Sequence, residues 1–323
     1  MRVLVTGGAG YVGSVTAHLL IERGHQVVIL DDLSTGHLDA IPTGAEFIEG
    51  SILDPEAVAR ALSEVVAVIH FAGKSLVGES MENPDLYWSV NRDGSAALID
   101  GMKRANVKRI VFSSSAATYG EPTRTPIDES DPTLPTNVYG ETKLAVEKLL
   151  AAEKVFSSIS LRYFNVAGAL ITDDDLVVGE RHAPETHLFP NVLNSVRGPK
   201  PVELTVHGDD WPTPDGTGIR DYVHVVDLAD AHIKALNLLS GQGDISISGH
   251  VAVNLGSGVG YSVREVITAA EQVLGAKASL KVGTRRAGDP AILVAGIARA
   301  GQLLGWRPTR GLAEMVESAA RNR

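Results

Sequence analysis

Val3-Leu-Val-Thr-Gly7-Gly-Ala-Gly10-Tyr-Val-Gly13 reads as a buried strand, a tight turn and the start of a helix. Gly7 suits the turn after the strand. Gly10 lets the backbone approach a pyrophosphate, and Gly13 lets the helix pack close to the strand. A helix beginning there offers free N–H groups and the positive end of its dipole to phosphates. A glycine turn alone is also an ordinary sheet feature. Here a strand precedes it, a helix follows, and an acid, Asp31, ends the next apolar stretch. A carboxylate there bonds an adenosine ribose and repels a 2′-phosphate, which favours NAD over NADP.

Working outward, β-rich runs at 2–6, 26–30, 45–49, 66–72, 108–113 and 158–164 alternate with helical patterns at 12–23, 54–63, 91–105 and 137–153. That alternation predicts parallel βαβ units, an α/β doubly wound Rossmann-like sheet. Several strands are almost wholly apolar, as expected where helices cover both faces. After about residue 166 the pattern loosens, and 170–220 is rich in Asp, Pro, Gly and His. A helix at 227–239, a strand at 251–255 and a helix at 263–274 follow. The expected organisation is a nucleotide-binding domain over 1–166 and a smaller, loop-rich α/β domain over 167–323. Segments near 220–255 are expected to return to the first domain.

At 323 residues the chain has length for about two domains of ~150 residues. No apolar run approaches the ~18 residues of a membrane span. Cysteine is absent, which excludes disulfides, thiolate metal sites and a cysteine nucleophile. A net charge of −10 lacks the basic footprint of nucleic-acid binding. A strand from residue 2 leaves no room for a signal peptide, so the cytoplasm is the expected compartment.

Tyr139 and Lys143 are four apart and share one face of a helix. An ammonium beside a phenol favours the phenolate, making a base from a group that ordinarily titrates near ~10. The lysine also suits a nicotinamide ribose. The strand at 108–113 runs into Ser113-Ser114-Ser115, and the carboxyl ends of parallel strands face the ligand crevice. Ser115 is placed to bond a substrate oxygen and steady a proton, whereas Ser113 and Ser114 suit strand-end capping.

With TGGAGYVGS at the start, HFAGKSLVGES from His70, SSSAATYGEP from Ser113, VYGETK around Tyr139 and LRYFNVAGA from Leu161, the chain resembles the extended short-chain dehydrogenase/reductases. WPTPDGTGIRDYVHV from Trp211, with RYFN and RRAGD, resembles their UDP-galactose 4-epimerase family in particular. The similarity runs from Arg2 to beyond Trp306. The resemblance implies interconversion of UDP-galactose and UDP-glucose by transient oxidation at sugar C4 with tightly held NAD, and a homodimer. It implies Tyr139 as acid and base, Ser115 on the 4-oxygen, and Lys143 on Tyr139 and the ribose. Gly7, Gly10, Tyr11, Val12, Gly13, Asp31, Phe71, Ala72, Asn91 and Tyr163 match cofactor positions. Asn165, His187, Leu188, His207, Arg220, Tyr222, Arg286, Asp289 and Leu293 match positions on or near the UDP-sugar. Guanidinium forks suit a diphosphate, although an isolated arginine is equally explained by a surface ion pair. Ala96, Ala97, Leu98, Leu144, Ala145 and Leu149 are the expected dimer seam.

The chain departs from the family pattern at four places. Ser51 replaces an aspartate that bonds adenine, and Ser75 replaces a lysine near the diphosphate, with Lys74 beside it. His207 replaces an aromatic on uracil, and His187 replaces asparagine. Leu293, intermediate in bulk, stands where size governs access of N-acetylhexosamines; UDP-glucose and UDP-galactose are the expected pair. For a 4,6-dehydratase, Ala116 and Ala117 lack the titratable pair that expels water. A non-catalytic NAD-sensing regulator would typically lack Tyr139 or Lys143. A dehydrogenase releasing NADH shares the hydride step. His182 and His187 flank Glu185 without zincin or helical-pair spacing, so no metal is expected.

Overall fold

The computed structural model describes residues 1–197, 202–242, 245–285 and 289–322. In chain order the first part comprises β1 (Arg2–Thr6), α1 (Tyr11–Glu22), β2 (Gln26–Asp31), β3 (Glu46–Glu49), α2 (Pro55–Ala61), β4 (Ala67–His70), α3 (Val77–Glu82), α4 (Pro84–Tyr87), α5 (Gly94–Arg104), β5 (Arg109–Ser115), α6 (Val138–Ala152) and β6 (Ser157–Tyr163). Then follow β7 (Asn165–Ala167), β8 (Ala169–Ile171), β9 (Val177–Gly179), α7 (Leu188–Val196), β10 (Leu204–His207), β11 (Ile219–His224), α8 (Val225–Leu239) and β12 (Gly249–Leu255). Last come β13 (Gly260–Ser262), α9 (Val263–Leu274), β14 (Leu280–Gly283), β15 (Ile292–Leu293), α10 (Ala298–Leu304) and α11 (Leu312–Arg321).

The central sheet has the order β12-β6-β5-β4-β1-β2-β3, and every neighbouring pair is parallel. Its strands are apolar because both faces are covered. Val3 and Val5 pack into the core beneath α1 and α8, whereas Leu4 between them packs into the core beneath α2, α5 and α6. This is the period-two alternation of a strand, applied to two cores rather than to core and solvent. Three smaller sheets carry the rest: β10 with β14, β8 with β9, and β11 with β7, β13 and β15. A separate core around Phe189, Tyr222, Ile267 and Met315 supports them.

The expected α/β doubly wound sheet is present, and the six early strands fall where the pattern put them. β5 runs two residues further, to Ser115, which carries that serine to the sheet edge. The helix expected from residue 91 instead opens with a wide π turn at Trp88–Asp93 before α5 begins. The short elements β7 to β10, α7, β13 to β15, α10 and α11 escaped the reading. Strands of two to four residues cannot display a period. Among the described residues, no helix is long and apolar enough to cross a membrane.

One buried histidine ties β1, β4 and the π turn together. The Ala72 N–H points to Thr6 Oγ1 at 3.4 Å, and Thr6 Oγ1 lies 2.7 Å from His70 Nδ1. On the other side His70 Nε2 lies 2.8 Å from Ser95 Oγ, which donates to Asn91 O. The directions are consistent with a neutral ring protonated on Nε2. Burial, with the Lys143 charge adding to it, pulls His70 down to about 3. Such a ring takes up a proton in the unfolded chain below about 6.5 but not in the folded one, so its stabilising contribution is lost as pH falls from about 6.5 towards 3. The slope is about 1.4 kcal/mol per pH unit. Urea melts of His70→Gln against the parent should therefore show the stability difference shrinking by about one proton's slope between pH 6.5 and 4. A pH-independent difference would contradict the neutral assignment.

Candidate active site

The glycine turn closes tightly because no side chain fits in it. Gly7 has φ +71°, and a Cβ there would stand 2.6 Å from the Ala72 nitrogen. A Cβ on Gly13 would stand 2.1 Å from Gly7 O, so β1 and α1 touch backbone to backbone. Gly10 precedes α1 without a side-chain cap, and the first turn holds no acid. The helix therefore presents bare N–H groups and an uncompensated dipole. Asp31 Oδ2 accepts from Ala9 N and Oδ1 from Leu33 N, both at 2.9 Å. Burial raises its carboxyl, and these two bonds oppose the rise. Open helix end, backbone-lined cradle and carboxylate at the end of β2 together fit NAD.

The other expected cofactor residues lie at neighbouring strand ends. Phe71 and Ala72 follow β4, and both their N–H groups bond Thr6 O. Phe71 packs against His232 with ring centroids 4.6 Å apart. Val12 and Tyr11 open α1, and the Tyr11 hydroxyl donates to Gly168 O at 2.5 Å. Tyr163 ends β6 with its hydroxyl 2.6 Å from Ser113 Oγ. Asn91 serves as a clamp: its amide pairs with the Lys74 backbone at 2.7 and 3.0 Å, and donates to Thr142 Oγ1 on α6 at 3.1 Å. Ser51 Oγ accepts from Leu53 N at 3.2 Å, a turn contact.

Ser115, Tyr139 and Lys143 come together where β5 ends under α6. Asn137 caps that helix by accepting from Gly140 N at 2.8 Å. Ser115 stands opposite Tyr163 in the sheet and accepts from Ala117 N at 3.1 Å, and its side chain acts to lower the Tyr139 phenol. Lys143 Nζ donates to Ser113 O at 2.9 Å and lies 5.7 Å from the Tyr139 ring centroid. Burial pulls this lysine down to about 8, with Glu147 opposing. The expected lowering of the Tyr139 phenol is not what the protein alone does. Burial, with Tyr163 nearby, pushes it well up, and Ser115 only partly offsets this. The physical reason is desolvation: a phenolate in this dry pocket needs more positive charge than one lysine supplies.

Glu147 escaped the sequence reading, although it continues the Tyr139–Lys143 spacing by one more turn. It accepts from Ser114 Oγ at 2.5 Å and from the Arg162 guanidinium at 2.9 and 2.5 Å, and both charges are buried. Arg162 also donates to the Tyr119 hydroxyl at 3.0 Å, which donates to Asn254 Oδ1 at 2.6 Å.

Of the expected substrate residues, β11 assembles five. Tyr222 stands opposite Asn165 of β7. Arg220 stands opposite Leu293 of β15, with Nη2 3.5 Å from Asp289. His207 ends β10 on a different sheet, exposed, with Nδ1 3.3 Å from Thr284 O. Leu188 opens α7 and His187 caps it. His187 Nδ1 lies 2.7 Å from Glu180 and 3.3 Å from Glu185. Burial lowers its basicity, but bonds to the two carboxylates outweigh this and raise it to about 10. Arg286 lies outside the described residues. Leu98 was expected at a dimer seam, but it is fully buried in the chain's own core under the sheet, which removes it from any seam.

The comparisons agree with this geometry. The chain is 47% identical to a UDP-glucose 4-epimerase of Corynebacterium glutamicum, over 99% of this chain and 94% of the relative. It is 42% identical to that of Bacillus subtilis, over 99% and 96%. A crystal structure of UDP-glucose 4-epimerase from Brucella ovis in complex with NAD superposes with a TM-score of 0.93 at 42% identity, covering 99% of this chain and 98% of that one. A family profile matches residues 3–248, the span that holds the glycine turn, Asp31, Ser115, Tyr139 and Lys143, so the chain belongs to the NAD dependent epimerase/dehydratase family.

Proposed function

We propose that the chain is a UDP-glucose 4-epimerase that interconverts UDP-glucose and UDP-galactose. The observation that carries this reading is the convergence of half-buried Ser115 with buried Tyr139 and Lys143 at the strand ends beside an NAD-fitting cradle, with Arg220, Asp289 and Leu293 assembled on β11 and its neighbours. NAD, when bound, supplies a reversible hydride acceptor and a positively charged ring. In this reading a cofactor domain and a sugar-nucleotide domain share one cleft.

The residues divide the work by chemistry. Tyr139 Oη takes the proton of the sugar 4-hydroxyl as hydride leaves carbon 4, and later returns it. Ser115 Oγ, at the end of β5 beside the phenol, holds the 4-oxygen in line. Lys143 keeps positive charge on the inner side of the phenol. The 4-keto sugar turns about its diphosphate link, while Arg220 and Asp289 keep hold of the nucleotide. One phenol serves both directions, so the cycle needs no outside redox partner. Ala116 and Ala117 offer no acid for water loss, which disfavours the dehydratase.

Homodimer assembly and a cytoplasmic setting belong to the same proposal. Val77 and Met81 on α3, Leu86 on α4 and Trp88 in the π turn form an exposed apolar group next to α6. Ala96, Ala97, Ala145 and Leu149 remain partly accessible.

Purified protein given UDP-galactose without added cofactor should produce UDP-glucose; no interconversion with NAD confirmed bound would end this reading. Tyr139→Phe should keep the fold and the NAD while turnover falls by about 10²–10⁴-fold, the usual worth of a positioned base. Measured affinities should rank NAD above NADP, and Asp31→Ala should narrow that gap. Replacing Leu293 with a smaller residue should raise turnover of UDP-N-acetylgalactosamine relative to UDP-galactose.

A further inference from the structure

We propose that Glu180, His182, Glu185 and His187 form a binding site for a divalent transition-metal ion, one that the epimerase reading does not require. The four side chains come from one short stretch, Glu180-Arg-His182-Ala-Pro-Glu185-Thr-His187, between β9 and α7. Each offers one donor atom, and all four donors lie within 4.8 Å of one another. Read as a helix, the His182 and His187 spacing makes no pair. The segment is not helical, and its turns fold both imidazoles onto the same carboxylate.

The geometry is close to a coordination shell. Glu180 Oε1 lies 3.0 Å from His182 Nδ1 and 2.7 Å from His187 Nδ1, and His187 Nδ1 lies 3.3 Å from Glu185 Oε1. Zinc bonds of ~2.0–2.2 Å to nitrogen and oxygen give tetrahedral edges of ~3.3–3.5 Å. An ion at the centre therefore needs the tightest edges to open by a few tenths of an ångström per atom, with every donor pair already within 4.8 Å.

Charge argues the same way. Glu180 is nearly buried, and the ion pairs of both carboxylates run to the two histidines. The nearest arginine in sequence, Arg181, turns away and pairs with Asp39 at 2.7 and 2.9 Å. The Tyr11 hydroxyl, already raised by burial, is pushed further up by the charges of Glu180 and Glu185. Two carboxylates, two neutral imidazoles and a dication sum to zero. Ligation through Nδ1 needs that nitrogen free of a proton, with each ring's N–H on Nε2. Mixed imidazole and carboxylate donors suit Zn²⁺, Co²⁺ or Ni²⁺ rather than the all-oxygen shells of Ca²⁺ and Mg²⁺. His187 is half exposed, so the ion can enter from the solvent side.

The ion would pin the start of α7, with His187 and Leu188, to the segment leaving β9, which packs on α1. That is a structural staple between the glycine turn's helix and the second core.

The test is metal uptake by the full chain. Chelator-treated protein re-equilibrated with Zn²⁺ and passed through gel filtration should retain about one ion per chain. Its Tm should rise by a few degrees, as for any ligand of the native state alone. Co²⁺ should give the intense visible absorption of a four-coordinate site. His182→Ala, which changes a partly exposed side chain, and Glu180→Gln should abolish the uptake, the Tm rise and the Co²⁺ absorption while NAD content stays unchanged. Negligible retained metal with no Tm response in the parent would overturn the proposal. So would undiminished uptake by His182→Ala, which would place the ions elsewhere.

Discussion

The buried pair of Glu147 and Arg162 is the contact on which the active site hangs. α6 carries Tyr139, Lys143 and Glu147 at successive turns of one face, and only the last is fixed by charge. Arg162 rises from β6 and Ser114 from β5, so one carboxylate locks the helix to two adjacent strands. Removing one partner of such a pair strands a charge in the interior, at about 3–5 kcal/mol. The position of Tyr139 over Ser115 is thus set two turns away, by groups that meet neither sugar nor cofactor.

A second line of contacts reaches the site from the opposite direction. The neutral His70 ring joins Thr6, at the end of β1, to Ser95 and the π turn, and Asn91 in that turn clamps Lys74 to Thr142 on α6. The wide turn matters here. An ordinary α-helix from residue 88 would rotate Asn91 away from one of its partners. The two lines meet on α6, which explains why a helix of modest amphipathicity is so completely held.

Legibility in the sequence followed element length and the size of the chemical signal. Strands such as Val-Leu-Val and helices of twelve or more residues displayed their period, and the glycine turn displayed its spacing, so the central sheet was readable. Ser115, Tyr139 and Lys143 were readable because their distances along the chain imply a shared strand end and helix face. Glu147 was missed because an acid in a helix is ordinarily a solvated one. His182, Glu185 and His187 were set aside on their spacing, and Glu180 went unnoticed, because the closeness of the group depends on turns rather than on a regular period. A lowered Tyr139 phenol was expected from the lysine alone because burial, which raises it, cannot be read from spacing. Leu98 was placed on an outer seam although the same apolar period equally serves the chain's own sheet.

The order of the sheet has a consequence for how the chain is made. β12 pairs with β6 from Gly249 against Ser157 to Leu255 against Tyr163, and part of the second core, Phe189, Val192, Val206 and Tyr222 among it, lies between them in sequence. During synthesis, β6 therefore leaves the ribosome with one edge unpaired and stays so until residue 255 has emerged. At ~5–20 residues per second that interval lasts several seconds. An open edge of Ser-Ser-Ile-Ser-Leu-Arg-Tyr is polar on alternate positions and carries a charge at Arg162, next to its end, features that discourage pairing with another chain. Ser158 and Ser160 of β6, buried in the finished fold, make the waiting edge less apolar than β4.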